Sequence, residues 1–340
     1  MNLFYAAFIP GLQDVVSDVL KERLSDLKII KLVDGAVIFE TETTYDKLNF
    51  FCFNNIFAVI DVAEKFHTKA RGHGGNILDE YINTVTEGIG NTNIIINNSK
   101  NIQSFRIVAL NENIPAAIDY RLRAQAENYI SRLSALKVNR SLPDTEFWFL
   151  HRSEGFCVFM KRLTLRSSWD KTLHKGELPP PLAWTLCRLA RLKHSDAVLD
   201  PFCGYGSIPQ EALKHFHVTN FTACDNNSEA VSYTQSRFKN NKIFSLHKRD
   251  YCELPALIGE NSIDAIVTDP PWGHFRETKD SDFLLKMSDI FYKLLKKGGR
   301  AVVLCANDGN FTQFSRFESE AKIPILLSGK KALIIILNKN

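Results

Sequence analysis

Two short loops, each directly after an apolar run, constrain this chain more than any other feature of its sequence. The first reads Asp200-Pro201-Phe202-Cys203-Gly204-Tyr205-Gly206, and the second, which begins 69 residues after Asp200, reads Asp269-Pro270-Pro271-Trp272. From Leu182 to the C-terminus, strand-like and helix-like segments alternate, which predicts a parallel sheet with helices on both faces. Ligands bind such sheets at the carboxyl ends of the strands, where both loops are predicted to lie.

Composition narrows the class of protein. The chain has 340 residues, 45% of them hydrophobic and 24% charged, which is typical of a soluble globular protein with two or three domains. No apolar run reaches the roughly 18 residues of a membrane span, and residues 1–10 lack the pattern of a secretion signal, so we expect a cytoplasmic protein. Seven cysteines without a Cys-x-x-Cys pair favour reduced thiols, with neither a disulfide framework nor a metal site.

The net charge of +4 is unevenly distributed along the chain. Residues 1–99 carry 8 Lys/Arg and 13 Asp/Glu, whereas residues 100–176 carry 13 Lys/Arg and 7 Asp/Glu, a net charge of +6. Residues 177–340 carry 21 Lys/Arg and 18 Asp/Glu. A basic segment is often only a solvated face, but beside a catalytic domain it is also the charge pattern that a phosphate backbone selects.

The N-terminal half is predicted to hold two small α/β modules. Residues 1–60 follow the order strand, helix, strand, strand, helix, with the last helix at 44–52, which is a ferredoxin-like order. Residues 104–163 follow the order strand, helix, strand, strand, and the exposed face of that helix carries Arg121, Arg123 and Arg132. The stretch 165–181 is predicted to be a connector, and the last two strands, joined by residues 328–331 alone, must form an antiparallel hairpin.

The first loop is predicted to bind a nucleotide-like cofactor. Its two glycines let a ligand approach the main chain, because a Cβ would fill that space, and the loop opens into a helix N-terminus. A lone Gly-x-Gly is weak evidence, since a plain strand-to-helix turn has the same sequence. The candidate cofactor residues in this loop are Asp200, Pro201, Phe202, Cys203, Gly204, Gly206 and Ser207.

Two further carboxylates support a cofactor with a ribose and an adenine. Asp225 ends the next predicted strand, where it can accept hydrogen bonds from a ribose diol, and Asp250 follows the third strand, where an adenine edge would lie. Asn226 and Tyr251 are added to the candidates as their neighbours. Pro209 stands where a dinucleotide fingerprint needs its third small residue, so S-adenosylmethionine fits better than NAD.

The second loop is predicted to hold the exocyclic amino group of a nucleobase. Such a group is a poor nucleophile because its lone pair is delocalised into the ring, so an enzyme must accept hydrogen bonds from both N–H groups. Asp269 and the Pro270 carbonyl can do this, Pro270 and Pro271 donate no competing N–H, and Trp272 offers a stacking surface. The base must leave its stack to reach this loop, and catalysis would consist mainly of alignment and charge placement.

Over residues 165–275 the sequence resembles the THUMP-domain RNA methyltransferases, which modify the exocyclic N2 of guanine in tRNA. The likeness of the N-terminal half is one of element order only. Tyr205 replaces the Ser or Thr that is common between the two glycines, and Trp272 stands where Tyr or Phe is frequent. The matching segments are Arg166, Ser168-Trp169-Asp170-Lys171, His174, Leu178-Pro179-Pro180-Pro181-Leu182-Ala183, Asp200 to Ser207, Glu211-Ala212 and Asp269-Pro270-Pro271-Trp272-Gly273.

The resemblance implies an S-adenosylmethionine-dependent enzyme with tRNA as its partner and N2-methylguanosine at position 6 of the acceptor stem as the favoured product. It implies a ferredoxin-like region at 1–60, a THUMP RNA-binding domain at 61–165, a linker at 166–181 and a Rossmann-like methyltransferase domain at 182–340. That domain would have seven strands, the last of them antiparallel. Arg166 and Lys171 join the three helix arginines as candidate RNA-binding residues.

Other functions remain open on sequence grounds. Asp-Pro-Pro-aromatic loops also serve N6-adenine and N4-cytosine methylation of RNA or DNA, and a chain of this fold can be a non-catalytic RNA-binding factor. Pro209 disfavours a hydride-transfer enzyme. The sequence specifies neither the modified nucleotide, nor the number of methyl groups, nor the oligomeric state.

Overall fold

The computed structural model describes residues 1–48, 50–64, 76–88, 102–112, 114–164, 173–271, 281–306 and 314–340. The predicted site residues Arg166, Lys171 and Trp272 therefore lie outside the described part of the chain. Two compact units are present. Unit 1 comprises Met1–Ala7, Ser17–Asn49 and Phe53–Ser167, and unit 2 comprises Phe8–Val16, Phe50–Cys52 and Ser168–Asn340.

Unit 1 is built on one large sheet. Its helices are α1 (Gln13–Arg23, shared along the chain with unit 2), α2 (Ile77–Gly88) and α3 (Tyr120–Ser134). Its strands are β1 (Asn2–Ala7), β2 (Lys28–Val33), β3 (Ala36–Thr41), β4 (Asn55–Glu64), β5 (Ser104–Asn111), β6 (Ile114–Pro115), β7 (Lys137–Val138), β8 (Thr145–Arg152) and β9 (Phe156–Arg162).

The strand order in unit 1 is β2-β3-β1-β4-β9-β8-β5-β6, with β7 beside β5. Strand β4 pairs antiparallel with β9, so that Phe57 lies opposite Arg162. Strands from both predicted N-terminal modules therefore belong to a single sheet. Where the boundary between a ferredoxin-like region and a THUMP domain falls, near residue 60, stays a prediction.

The core of unit 1 follows from the alternation of side chains along its strands. In β8, Phe147 and Phe149 point to the face that α2 and α3 cover, whereas Leu150 points to the opposite face. Phe149 stacks on Phe159 of β9, with ring centroids 4.3 Å apart and an interplanar angle of 11°. These rings are completely buried. Burial of aromatic rings between one sheet face and two helices stabilises this unit.

Unit 2 contains the second sheet. Its strands are β10 (Ala197–Asp200), β11 (Asn220–Asp225), β12 (Phe244–Lys248), β13 (Ile263–Thr268), β14 (Leu295–Ala306), β15 (Glu318–Leu327) and β16 (Lys330–Asn338). Its helices are α4 (Pro180–Leu189), α5 (Ser207–Glu211), α6 (Ser228–Arg237), α7 (Leu254–Ile258) and α8 (Ser281–Leu294).

The seven strands of this sheet run in the order β12-β11-β10-β13-β14-β16-β15. The neighbouring strands β12, β11, β10, β13 and β14 are parallel to one another. Strand β16 is antiparallel to both β14 and β15. The predicted α/β sheet of seven strands with an antiparallel last strand is confirmed. The final hairpin is placed so that β16 lies inside the sheet and β15 at its edge, because the apolar run Ala332–Leu337 is buried on both faces.

Some predicted elements differ from the structure. The helix predicted at 44–52 is wrong, since among the described residues of that segment only Tyr45–Lys47 forms a 3₁₀ turn; the segment is short and contains Asp and Asn, which favour turns. The helix that follows the glycine loop is α-helical to Glu211 and π-helical over Ala212–Phe216. Strand β4 and helix α2 were not predicted, although Leu78, Tyr81, Ile82 and Val85 give α2 a helical apolar stripe.

Replacing Phe159 by Ala should destabilise unit 1 by about 3–5 kcal/mol, because the lost ring leaves a cavity between the sheet and the helices that cover it. Urea unfolding monitored by circular dichroism measures this change. Ile114→Ala is the control, since that side chain is 69% exposed and its loss should change stability by less than about 0.5 kcal/mol. Equal effects of the two substitutions would contradict the assignment of Phe159 to the core.

Candidate active site

Four carboxylates lie at one edge of the unit 2 sheet. Asp225 and Asp200 are the last residues of β11 and β10, and Asp250 and Asp269 follow β12 and β13. These four strands are adjacent and parallel, so their carboxyl ends meet at one edge. The negative charges of Asp225 and Asp269 both act on Asp200. The structure thus brings acidic residues of the two predicted loops together.

Asp200 is the most deeply buried of these carboxylates, with 1% of its surface exposed. Its Oδ1 accepts hydrogen bonds from the Thr268 hydroxyl at 2.7 Å and from the Phe202 amide at 3.2 Å. Within the described residues, its buried Oδ2 has no hydrogen-bond partner. Burial raises the pKa of Asp200 to about 8, with a further increase from the charges of Asp225 and Asp269, despite the two hydrogen bonds that lower it.

The glycine loop departs from ordinary backbone conformation at both glycines. Gly204 has φ +48° and Gly206 has φ +85°, in the left-handed region that side chains disfavour. A Cβ on Gly206 would lie 3.0 Å from the Phe238 ring and 3.2 Å from Thr234, so packing also requires glycine there. A Cβ on Gly204 would meet no atom of the described residues within 4 Å. The main chain at Gly204 therefore borders open space that a ligand can enter.

Asp225 anchors this loop to the end of β11. Its Oδ2 accepts a hydrogen bond from the Gly204 amide at 2.8 Å, and its Oδ1 accepts one from the Asn227 amide at 2.8 Å. Each carboxylate oxygen retains further capacity to accept, which is what a ribose diol requires. The neighbouring Asn226 is exposed.

Asp250 and Tyr251 form the turn after β12. The Asp250 side chain accepts from the Cys252 amide at 2.9 Å, while the Glu253 side chain accepts from the Asp250 amide, which is a capping box. The Tyr251 ring packs against Phe202 and Phe283, at centroid distances of 5.0 and 5.5 Å. This turn packs a buried aromatic ring against Phe202 of the glycine loop.

The second predicted loop is described as far as Pro271. Thr268, the last residue of β13, is completely buried, Asp269 is half-buried and Pro270 is buried. Since Thr268 donates to Asp200 and precedes Asp269 in the chain, one strand end contributes to both loops. Trp272 and Gly273 lie outside the described residues.

The remaining predicted residues have ordinary structural surroundings. Pro201 and Cys203 are buried in the loop, and the Ser207 hydroxyl donates to Glu177 at 3.3 Å. In unit 1, Arg121 and Arg132 are exposed on α3 and Arg123 is half-buried. The Arg121 Nε donates to the Tyr120 hydroxyl at 2.8 Å, which leaves its charge at the surface.

Sequence reasoning missed several residues that shape this site. Thr268 is the last residue of β13. Its position just before a candidate catalytic aspartate is a sequence feature that could have indicated its place in the site. Glu177, Thr234 and Arg237 hold the glycine loop from outside and carry no motif. His174 was noted only as part of a resemblance, and its ring stacks on Tyr205 at 4.1 Å.

Neither a spanning helix nor a metal centre is found in the part of the chain that the structure describes. No helix there has both the length and the apolar character needed to cross a membrane. Groups of three or more His, Cys, Asp or Glu side chains that could hold a metal ion are likewise not found among those residues. The seven cysteines are free thiols, six of them buried.

Residues 168–326 match the family described as "UPF0020: RMKL-like, methyltransferase domain". The matched segment contains every described residue of the acidic strand ends and of both loops.

Three curated proteins are similar to this chain. U6 snRNA (guanine-N(2))-methyltransferase THUMPD2 of Bos taurus is 30% identical over 170 residues, 47% of this chain and 32% of that protein. tRNA (guanine(10)-N2)-dimethyltransferase of Methanocaldococcus jannaschii is 26% identical over 217 residues, 58% of this chain and 60% of that protein. tRNA (guanine(6)-N(2))-methyltransferase THUMP3 of Mus musculus is 31% identical over 149 residues, 39% and 29% of the two proteins. The chain thus spans from under a third to three fifths of these relatives' lengths.

A solved structure resembles the whole chain. The crystal structure of TrmN from Thermus thermophilus superposes with a TM-score of 0.74, covers 100% of both chains and is 18% identical in sequence. At this identity the likeness shows a shared fold. It extends the structural match beyond the residues that the family description covers.

The raised pKa of Asp200 predicts a pH-dependent stability in the absence of ligand. Between the ordinary value of 3.8 and about 8, the folded protein retains a proton that the unfolded chain has released. The free energy of unfolding should therefore fall as pH rises through this window. Asp200→Asn cannot ionise, so its stability should fall less with pH than that of the wild type.

Urea unfolding of both proteins at several pH values between about 5 and 8 measures the difference. Glu211, whose pKa burial raises to about 7, contributes with the same sign in both proteins and cancels. Parallel pH profiles of wild type and variant would contradict the raised pKa of Asp200.

Proposed function

We propose that this chain transfers a methyl group from S-adenosylmethionine to an exocyclic amino group in RNA. The favoured target is guanine N2 in tRNA, at position 6 of the acceptor stem, to give N2-methylguanosine. The observation that carries the proposal is the joining of the glycine loop and the Asp-Pro-Pro loop through Thr268 and Asp200. A donor pocket and an acceptor loop then lie at one sheet edge, as methyl transfer requires.

The residues of the first loop fit S-adenosylmethionine. Asp200 has a buried oxygen without a partner among the described residues, and it lies near the charges of two further carboxylates, so the pocket favours a cationic ligand. Asp225 retains acceptor capacity for hydroxyl groups, and the open space beside Gly204 admits a ligand to the main chain. Pro209 is buried in the first turn of α5, where a dinucleotide would need a small residue.

The chemistry follows from hydrogen-bond direction. The bound cofactor supplies an electrophilic methyl group on a sulfonium. Asp269 and the Pro270 carbonyl accept the two N–H groups of the base, which turns the amine lone pair outward. Pro270 and Pro271 have no N–H that could compete for these acceptors. The protein therefore acts by alignment and charge placement. The methylated nitrogen carries one proton more than the product and is acidic, so it can release this proton to the Asp269 carboxylate, and no strong general base is needed.

The proposed base rests on more support than the proposed RNA. The three curated relatives are named for guanine N2, but for different RNAs: U6 snRNA, tRNA position 10 and tRNA position 6. Position 6 is favoured because the sequence resemblance implies it, and the mouse protein named for that position is 31% identical to this chain over 149 residues. A second candidate function is guanine N2 methylation of U6 snRNA, which the 30% identity to the bovine protein favours.

Product analysis tests the proposed function. Purified chain is incubated with labelled S-adenosylmethionine and either total tRNA from a strain that lacks this protein, or a U6 snRNA transcript. Nucleoside mass spectrometry should find N2-methylguanosine in tRNA, and a transcript with adenine at position 6 should no longer accept label. N6-methyladenine or N4-methylcytosine would replace the proposed base, and no transfer to any RNA would exclude the activity.

Asp269→Ala should lower the rate of methyl transfer below detection while the dissociation constant for S-adenosylhomocysteine changes by less than about threefold, or about 0.65 kcal/mol. The reason is that Asp269 contacts the acceptor base rather than the cofactor. Asp289→Asn, an exposed residue of α8, is the matched control and should keep wild-type turnover. A fully active Asp269→Ala variant would favour a non-catalytic RNA-binding role.

The arginines of α3 are proposed to contact the phosphate backbone. They belong to the segment with a net charge of +6, within the proposed THUMP domain at residues 61–165. Replacing Arg121, Arg123 or Arg132 by Gln should weaken tRNA binding and reduce the slope of log K against log salt by about 1 for each lost phosphate contact. Fluorescence anisotropy at several salt concentrations measures this slope. Lys21→Gln, an exposed residue of α1, is the control, and an equal slope in all variants would contradict the contact.

We also propose that the protein works in the cytoplasm. The seven free cysteines are consistent with a reducing compartment.

A further inference from the structure

The glycine loop is held from outside by side chains that the proposed chemistry does not use. Thr234 Oγ1 donates to the Gly204 carbonyl at 2.9 Å, and Arg237 Nη1 donates to the Tyr205 carbonyl at 2.7 Å. Both donors lie on α6. With Glu177, they form what we call the loop clamp. Each of the two carbonyls between the glycines thus has a side-chain donor.

Glu177 makes the clamp a buried ionic contact. Its side chain is 2% exposed, and its Oε1 lies 3.0 Å from Arg237 Nη1. The same oxygen accepts from the Ser207 hydroxyl, while Oε2 accepts from the His174 amide at 3.0 Å. A carboxylate this deeply buried is tolerated only when it is paired and hydrogen-bonded. Glu177 therefore ties the segment before α4 to α6 and to the first residue of α5.

Aromatic packing fixes the side chain between the two glycines as well. The His174 ring stacks on Tyr205 at 4.1 Å with an interplanar angle of 7°, and it meets Tyr233 edge-on at 4.4 Å. The Arg237 guanidinium lies 5.1 Å from the centre of the Tyr233 ring. Tyr205 thus packs against His174 and Tyr233, and Tyr233 in turn packs against the arginine that holds the Tyr205 carbonyl.

The clamp determines where the loop amides point. In a trans peptide the carbonyl and the following N–H point in opposite directions, and no cis peptide occurs among the described residues. Because Thr234 donates a hydrogen bond to the Gly204 carbonyl, the Tyr205 N–H points away from α6. The hold of Arg237 on the Tyr205 carbonyl turns the Gly206 N–H away in the same manner, and that N–H donates to the Cys203 carbonyl at 2.8 Å.

We propose that Glu177 and Arg237 are positioning residues for cofactor binding, which hold the glycine loop in its binding conformation before the cofactor arrives. This inference rests on the proposed function. Two glycines with positive φ make the free loop conformationally permissive, so a loop without the clamp would have to be ordered by the ligand. Ordering reduces affinity, and pre-organisation restores it.

Calorimetric binding of S-adenosylhomocysteine to the full chain tests the inference. Glu177→Gln and Arg237→Gln should each raise the dissociation constant by about tenfold or more, since a charge-assisted hydrogen bond is lost. Arg237→Lys keeps the charge and should show a smaller rise. Turnover at saturating cofactor should stay within about twofold of wild type, so that KM for the cofactor carries the effect.

The chain offers a matched control for the arginine. Arg316 also pairs with a carboxylate, Asp289 at 3.1 Å, and also stacks on a tyrosine, Tyr292 at 4.0 Å, but both partners are on α8. Arg316→Gln should leave the dissociation constant unchanged. In the double variant of Glu177 and Arg237, the rise should be less than the product of the single rises, because both substitutions break one contact.

The outcomes separate the two proposals. Failure of the wild type to bind S-adenosylhomocysteine would overturn both the proposed function and the clamp. Wild-type binding with equal affinity in the clamp variants would overturn the clamp alone. Should Arg237→Gln not fold, as judged by circular dichroism, Thr234→Val removes the other loop contact with little change in shape. Its KM for the cofactor should rise at constant turnover, and an unchanged KM would contradict the inference.

Discussion

The hydrogen bond from Thr268 to Asp200 joins the carboxyl ends of two adjacent parallel strands, and the candidate site is arranged around it. Both residues are buried, and burial of an ionised carboxylate is unfavourable. One hydroxyl and one amide satisfy Oδ1, but among the described residues nothing satisfies Oδ2, so the pKa of Asp200 rises to about 8. A cation bound beside Asp200 would therefore stabilise the ionised form of this carboxyl group.

The other acidic residues at this edge of the sheet accept hydrogen bonds that fix the neighbouring turns. Asp225 uses both oxygens to fix the glycine loop and the start of α6, and Asp250 caps the turn that carries Tyr251. Each of these carboxylates also accepts hydrogen bonds within the protein. The fold therefore fixes their orientation before a ligand binds. The clamp of Glu177 and Arg237 extends this arrangement to the outer side of the loop. The glycine loop is thus hydrogen-bonded both to the end of the sheet and to α6.

Features that depend on neighbouring residues in the chain could be predicted from the sequence. Contacts between residues that are far apart in the chain could not. Alternating strands and helices, the two glycines and the short final hairpin are local signals, and the sheet they predict is present. The contact between Thr268 and Asp200 joins residues 68 positions apart and depends on β13 lying beside β10, which no local pattern states. The same holds for β4 beside β9, and for Glu177, whose burial follows from tertiary packing around α6. The roles proposed for individual site residues stay predictions.

A pocket for an amino group selects a chemical group and not an RNA. The similar curated proteins are named for one atom, guanine N2, in three different RNA positions, and the matched family segment covers residues 168–326. Since similar proteins that act on the same atom are named for different RNA positions, the atom alone does not determine the RNA. Under the proposed function, the choice of RNA would depend on groups outside the two loops, and the segment 100–176, with its net charge of +6, has the largest net positive charge of the three parts of the chain. The proposed base and the proposed RNA are accordingly separate hypotheses, and substitutions in the Asp-Pro-Pro loop would test the first.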